Sequence, residues 1–88
     1  MTIKKRFNRK PTVLDQFGFS KSTLANKINE GVFVPPCSLG ARSVAWLEYE
    51  LDALASAMAA GRSKDQLKTL VTELVEQRQQ EILEEWVK

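Results

Sequence analysis

Apolar residues along the chain follow two patterns, one at helical spacing and one β-prone, and these predict the elements in turn. Val13, Leu14 and Phe17 cluster as one or two helical turns after Pro11, and Gly18 closes them. Leu24 and Ile28, four apart, then lie one above the other on a second helix over 20–31. Ser20 can cap that helix, because its hydroxyl accepts from a backbone N–H two or three residues on. Gly31 can end it in the left-handed conformation. The rest of its surface is polar or cationic, carrying Lys21, Ser22, Thr23, Asn26 and Lys27 with Glu30 as its only acid.

The pattern then changes period. Val32, Phe33 and Val34 are β-prone, and Pro35-Pro36 blocks any helix. Cys37-Ser38-Leu39 and Ser43-Val44-Ala45-Trp46 flank a turn at Gly40, Ala41 and Arg42, the outline of a small hairpin. Trp46 and Phe33 are expected to close the core beneath it. From Leu47 the helical period returns with Leu51, Leu54 and Met58, and acids Glu48, Glu50 and Asp52 stand in the first turns, where the helix dipole favours them. Those acids are expected on the helix surface. Gly61 ends this third helix, and Ser63 with Gln66 forms a capping-box pattern for a fourth. Its stripe of Leu67, Leu70, Val71, Leu74 and Val75 breaks at Arg78 and resumes at Ile82, Leu83, Trp86 and Val87. A helix of about two dozen residues would span roughly 36 Å, more than a small domain covers. Its second half therefore calls for a partner, either a second copy or another protein. The alternative is that it folds back over its own core.

Helix, glycine turn, capped polar helix and hairpin are the outline of a winged helix-turn-helix, whose second helix enters the DNA major groove. The expected fold is mostly α, a winged helix-turn-helix over 11–61 with a small β-hairpin wing. It is preceded by a basic arm over 1–10 and followed by a long C-terminal helix over 62–88.

Charge sharpens this outline. The net charge of +2 conceals two unlike halves. Residues 1–46 carry eight Lys or Arg against two acids, a net of +6, and residues 47–88 carry five against nine, a net of −4. A basic half of this kind suits a polyanion. Lys4, Lys5, Arg6, Arg9 and Lys10 concentrate five of the cations in an arm expected to stay unstructured until something orders it. Its role would be DNA backbone contact, or no more than that of a solvated tail. Arg42, with Ser43, would reach a minor groove or the backbone from the wing, or Arg42 simply solvates a turn. On the second helix Asn26 is the adenine reader by a bidentate amide contact, and Lys27 suits guanine or phosphate.

Composition excludes several other classes. One cysteine and no histidine leave no disulfide within the chain and none of the usual zinc sets. The four glycines are scattered at turns, so there is no phosphate-binding loop. No Ser or Cys has a catalytic base beside it, and Cys37 reads as an inert small residue. The expectation is a protein that is not an enzyme, with no cofactor, no metal and no small-molecule substrate. No apolar run reaches the ~18 residues of a membrane span, and the basic start lacks the apolar stretch of a signal peptide. A cytoplasmic protein is expected.

Two segments carry a family resemblance. Gly18-Phe19-Ser20-Lys21-Ser22-Thr23-Leu24 is followed by Gly31-Val32-Phe33 and two prolines. Leu39-Gly40-Ala41-Arg42-Ser43-Val44-Ala45-Trp46-Leu47-Glu48 is followed by Glu50-Leu51-Asp52-Ala53. Together, over roughly 11–60, they resemble the AlpA-like family of phage regulators, small winged-helix proteins related to the MerR-type DNA-binding domain and to phage excisionases. The resemblance implies a recognition helix over 21–30 and a wing around 40–42. It also implies double-stranded DNA of a mobile element as partner, with a role in regulating integrase genes or in bending attachment-site DNA for excision. Two positions depart from the family. Ala25-Asn26 stand where an aromatic and then a basic residue are usual, so the bases read do not carry over. Leu54 stands where a tryptophan is frequent. The tail from Arg62 exceeds the family's compact domain, and 67–87 is the segment expected to meet a second copy, an integrase or another protein. The second functional reading is accordingly a protein-interaction module that works through this helix, with the winged helix as scaffold.

Overall fold

Phe33 and Trp46, almost wholly withdrawn from water, are the large side chains around which the other elements close. The structure, a computed structural model, describes residues 6–87, with side chains described through residue 80. In chain order the elements are β1 (Phe7–Asn8), α1 (Lys10–Phe17), α2 (Lys21–Glu30), β2 (Cys37–Gly40), β3 (Ser43–Leu47), α3 (Glu48–Ala59) and α4 (Lys64–Val87). Four helices and a three-stranded antiparallel sheet make a winged-helix-like fold.

The α1–α2 corner is set by local chemistry. Pro11 sits in the first turn of α1, where its missing N–H costs no bond. Gly18 ends the helix at φ 67°, a conformation that would strain any residue with a β-carbon, and its N–H donates to the Leu14 carbonyl. Phe17 and Phe19, on either side of that turn, both meet Phe33, at 5.1 and 6.0 Å between ring centroids with rings near edge-on. Such aromatic pairs contribute about 0.5–1.5 kcal/mol beyond the area they bury. Val13 of α1 and Leu24 of α2 point into the same core.

Strand β3 is central, with β1 on one side and β2 on the other. Cys37 pairs with Ala45 and Ser38 with Val44, and the ladder bulges before Gly40 meets Ser43. The tip is Ala41-Arg42, and Arg42 takes φ 61°, the left-handed turn conformation that side chains other than glycine adopt at a cost. Trp46 buries its ring and donates its indole N–H to the Val34 carbonyl at 3.1 Å, so no polar group is stranded.

The other edge of β3 corrects the reading of 1–10 as an arm without structure. Phe7 pairs with Leu47 and Asn8 with Trp46, forming β1. The Glu48 N–H donates to the Arg6 carbonyl at 2.7 Å, and Lys10 opens α1. Residues 6–10 are therefore built into the domain by backbone pairing that no local pattern announces. Lys4 and Lys5 lie outside the described residues.

A second correction concerns Glu50. Read as a surface acid beside Glu48 and Asp52, it is completely buried. Arg78 of α4, which seemed only to interrupt an apolar stripe, donates through Nε to Glu50 Oε2 at 3.1 Å, through Nη2 to Glu50 Oε1, and from Nη2 to the Pro35 carbonyl at 3.1 Å. Val71 and Leu74 are buried on the same helix, with Leu70 and Val75 packed at the edge of the core. As far as Arg78, α4 thus folds back over the chain's own core. Ile82, Leu83, Trp86 and Val87, the second half of the stripe, have side chains outside the described residues. The capping box at the helix start is present as expected: Ser63 N–H donates to Gln66 Oε1 at 2.9 Å, and Gln66 N–H to Ser63 Oγ at 3.2 Å.

Candidate nucleic-acid interface

The face that α2 turns outward follows from what it turns inward. Leu24 is buried and Ile28 packs against the core, and a helix that seats these two must project Ser22, Ala25, Asn26 and Asn29 on the opposite side, at intervals of three and four. All four are exposed, as is Lys21 at the first helical position. Three of the five residues expected on this helix, Lys21, Ser22 and Asn26, are therefore free to meet a ligand.

The other two are engaged. Thr23 donates its backbone N–H to Ser20 Oγ at 3.1 Å, and its hydroxyl accepts from the Ser20 hydroxyl at 2.9 Å. It completes the cap that fixes the direction of the helix start. Lys27 is half-buried on the flank, with Nζ 5.4 Å from the centroid of the Phe19 ring. A cation over an aromatic face at that distance gains about 0.5–1 kcal/mol at an exposed site, which holds the ammonium to one side of the outward face. Asn29 was missed in the sequence. The signal was available, since it stands three residues beyond Asn26 and seven beyond Ser22 on the same helical face.

The wing brings together residues that the sequence had divided between arm and hairpin. Arg9 Nη1 donates to Ser43 Oγ at 2.8 Å and to the Val44 carbonyl at 3.2 Å. Ser43 Oγ thus accepts from Arg9 and keeps its own O–H as a donor, and the Arg9 guanidinium lies against the base of the wing with further donors to spare. Arg42 stands exposed at the tip, while Arg6 and Lys10 are exposed on either side of β1. The wing also shows apolar surface, with Leu39 41% and Val44 40% accessible.

Behind the wing, the Cys37 thiol is pushed above its usual range by burial, against the pull of the nearby Arg78 charge. A thiol held protonated is a poor nucleophile. Burial acts to lower the pKa of Arg78 itself, but the hydrogen bond to Glu50 and its charge outweigh that and raise it. These groups serve the interior, and the outward groups are amides, hydroxyls and cations suited to hydrogen bonding with bases and phosphates.

Residues 6–55 match the family described as prophage CP4-57 regulatory protein (AlpA). The chain is also 42% identical over 59 residues to the uncharacterized protein ORF88 of Enterobacteria phage P4, covering 67% of each chain. No solved structure matches. The family match begins at Arg6, so it includes β1 as well as the α1–α2 corner and the wing. Among the described residues, no helix is long and apolar enough to cross a membrane.

Proposed function

The chain belongs to the AlpA family of prophage regulatory proteins, and we propose that it binds double-stranded DNA sequence-specifically on behalf of a prophage or integrated element. It acts there as a regulator of integrase and excision genes or as an excisionase that directs recombination. The observation that carries this reading is the outward face of α2, a capped helix with exposed hydroxyl, amide and ammonium groups and no acid at its centre. Arg42 at the wing tip and Arg6, Arg9 and Lys10 beside β1 supply phosphate contacts, and Lys4 and Lys5 extend them. The protein works without catalysis, cofactor or metal.

The test is a gel-shift titration on the element's integrase promoter and attachment-site DNA against random duplex, at two salt concentrations. Tight selective binding that weakens with salt is expected, and the fragment preferred separates regulator from excisionase. Replacing Lys4, Lys5 and Arg6 by alanine should weaken all duplexes alike and flatten the slope of log affinity against log salt by about 0.9 for each phosphate no longer neutralised. An unchanged slope removes the arm from the interface, and loss of selectivity at both salts removes the DNA reading.

A second reading rests on the length of α4, whose 24 residues run well past Arg78. In that reading the segment 67–87 joins a second copy, an integrase or another protein, and the winged helix is its scaffold. Deleting residues 82–88 would then abolish partner binding and leave DNA affinity unchanged. If self-association serves DNA binding, the same deletion lowers DNA affinity.

A further inference from the structure

The outward face of α2 has a composition that names the kind of base pair it can read. Its centre holds Ser22, Ala25, Asn26 and Asn29, all exposed, and among the described residues neither asparagine carboxamide has a partner. A carboxamide offers one acceptor and two donors in a plane, the complement of adenine N6 and N7 in the major groove. Guanine instead presents two acceptors, O6 and N7, and is read by the donor fork of arginine or by a lysine ammonium. The helix has no arginine, and its two lysines stand away from the centre. Lys21 occupies the first helical position, and the Lys27 ammonium lies over the Phe19 ring.

The spacing of the two amides fits consecutive reading. Residues three apart rise about 4.5 Å along a helix, comparable to the ~3.4 Å step between bases on one strand. A helix laid along the groove with Asn26 on one adenine therefore brings Asn29 to the next pair or the one after. Ala25 lies one turn before Asn29 on the same exposed face, and its methyl suits the thymine C5-methyl group. Ser22 tolerates any base, because its hydroxyl both donates and accepts.

We infer that α2 reads A·T base pairs, with Asn26 and Asn29 each contacting one adenine, so that Asn29 is a second specificity-determining residue. The inference rests on the DNA-binding reading above, and the test separates the two. A randomised duplex library is selected with the full chain, and the enriched duplex is remade with 7-deazaadenine at single positions, which removes N7 and leaves pairing intact. The expected sites carry two adenines within three base pairs, and each replacement lowers affinity about tenfold. Asn29→Ala should abolish preference at one of the two adenines and retain it at the other, Asn26→Ala should do the reverse, and neither should move the melting temperature. Enriched sites centred on G·C, or an Asn29→Ala protein with both preferences intact, overturn the inference and leave DNA binding standing. A chain that binds no duplex overturns both.

Discussion

Helices α2 and α4 begin alike, each from a serine whose hydroxyl accepts a backbone N–H three residues on, Ser20 from Thr23 at 3.1 Å and Ser63 from Gln66 at 3.2 Å. From there they use polar residues in opposite ways. On α2 the polar groups face out, and Asn26 and Asn29 have no partner among the described residues. On α4 the decisive polar group faces in: Arg78 is 16% exposed and its partner Glu50 not at all. The first arrangement leaves hydrogen-bonding capacity unspent for a ligand. The second spends it within the fold, where an ion pair holds α3, α4 and the loop carbonyl of Pro35 in one register. A shared start does not decide a helix's role; the solvent on its polar side does.

The largest expected effect tests the buried half of this contrast. Arg78→Ala should lower the unfolding free energy by about 3–5 kcal/mol, because it leaves the Glu50 carboxylate buried without its partner. The Pro35 carbonyl would lose its guanidinium donor in the same step. Urea denaturation of the two proteins measures this as a shift in midpoint. Replacing both residues by apolar ones, as Glu50→Leu with Arg78→Met, should recover much of the loss, since a well-packed apolar pair can match a buried ion pair. If Arg78→Ala costs no more than a surface substitution, the pair is not what docks α4.

How legible these two helices were follows from the same contrast. The start of α2 could be read because each signal is local: Gly18, Ser20 and Gly31 act on backbone groups within a few residues. The capping box of α4 and the turn at Gly40, Ala41 and Arg42 were legible for the same reason. Glu50 was not. It stands between Glu48 and Asp52 in a first turn where acids are favoured anyway, and its partner lies 28 residues away. The joining of Arg9 to Ser43 spans 34 residues, and the pairing of Phe7 and Asn8 with β3 was equally hidden, because two residues are too few to show an alternation. Of the candidate site, the outward face was mostly visible, but the side-chain duties of Thr23 and Lys27 depended on where Ser20 and Phe19 point.

A middle-sized effect compares the two caps. Ser20→Ala and Ser63→Ala should each cost about 1 kcal/mol of stability, the usual loss when a capping hydroxyl is removed. Thermal unfolding would show the two as near equals. If α2 enters the groove as proposed, their effects on DNA should differ, because Ser20 also holds the Thr23 hydroxyl at the start of that helix, whereas Ser63 lies at the start of the helix that packs on the core. Ser20→Ala is expected to weaken selective binding in a gel shift, and Ser63→Ala to leave it unchanged. Equal weakening by both would place the start of α4 in the interface and erase the distinction between the helices.

The smallest effect is expected where the two helices touch in the open. Glu30, the last residue of α2, faces Lys64, the first of α4, with Nζ and Oε2 3.6 Å apart and both side chains more than half exposed. The charges are of the same kinds as in Glu50 and Arg78, but water screens them and two long side chains must be held still to meet. Exposed pairs of this type contribute about 0.2–1 kcal/mol, and less as salt rises. A double-mutant cycle of Glu30→Ala and Lys64→Ala, read by urea denaturation at low and high salt, should give a coupling within that range that fades at the higher concentration. A coupling as large as that across Glu50 and Arg78, and indifferent to salt, would mean that the end of α2 is clamped to α4. Helix α2 would then be fixed in place by the same joint that closes the core, and changes at Arg78 would reach the proposed DNA contact through it.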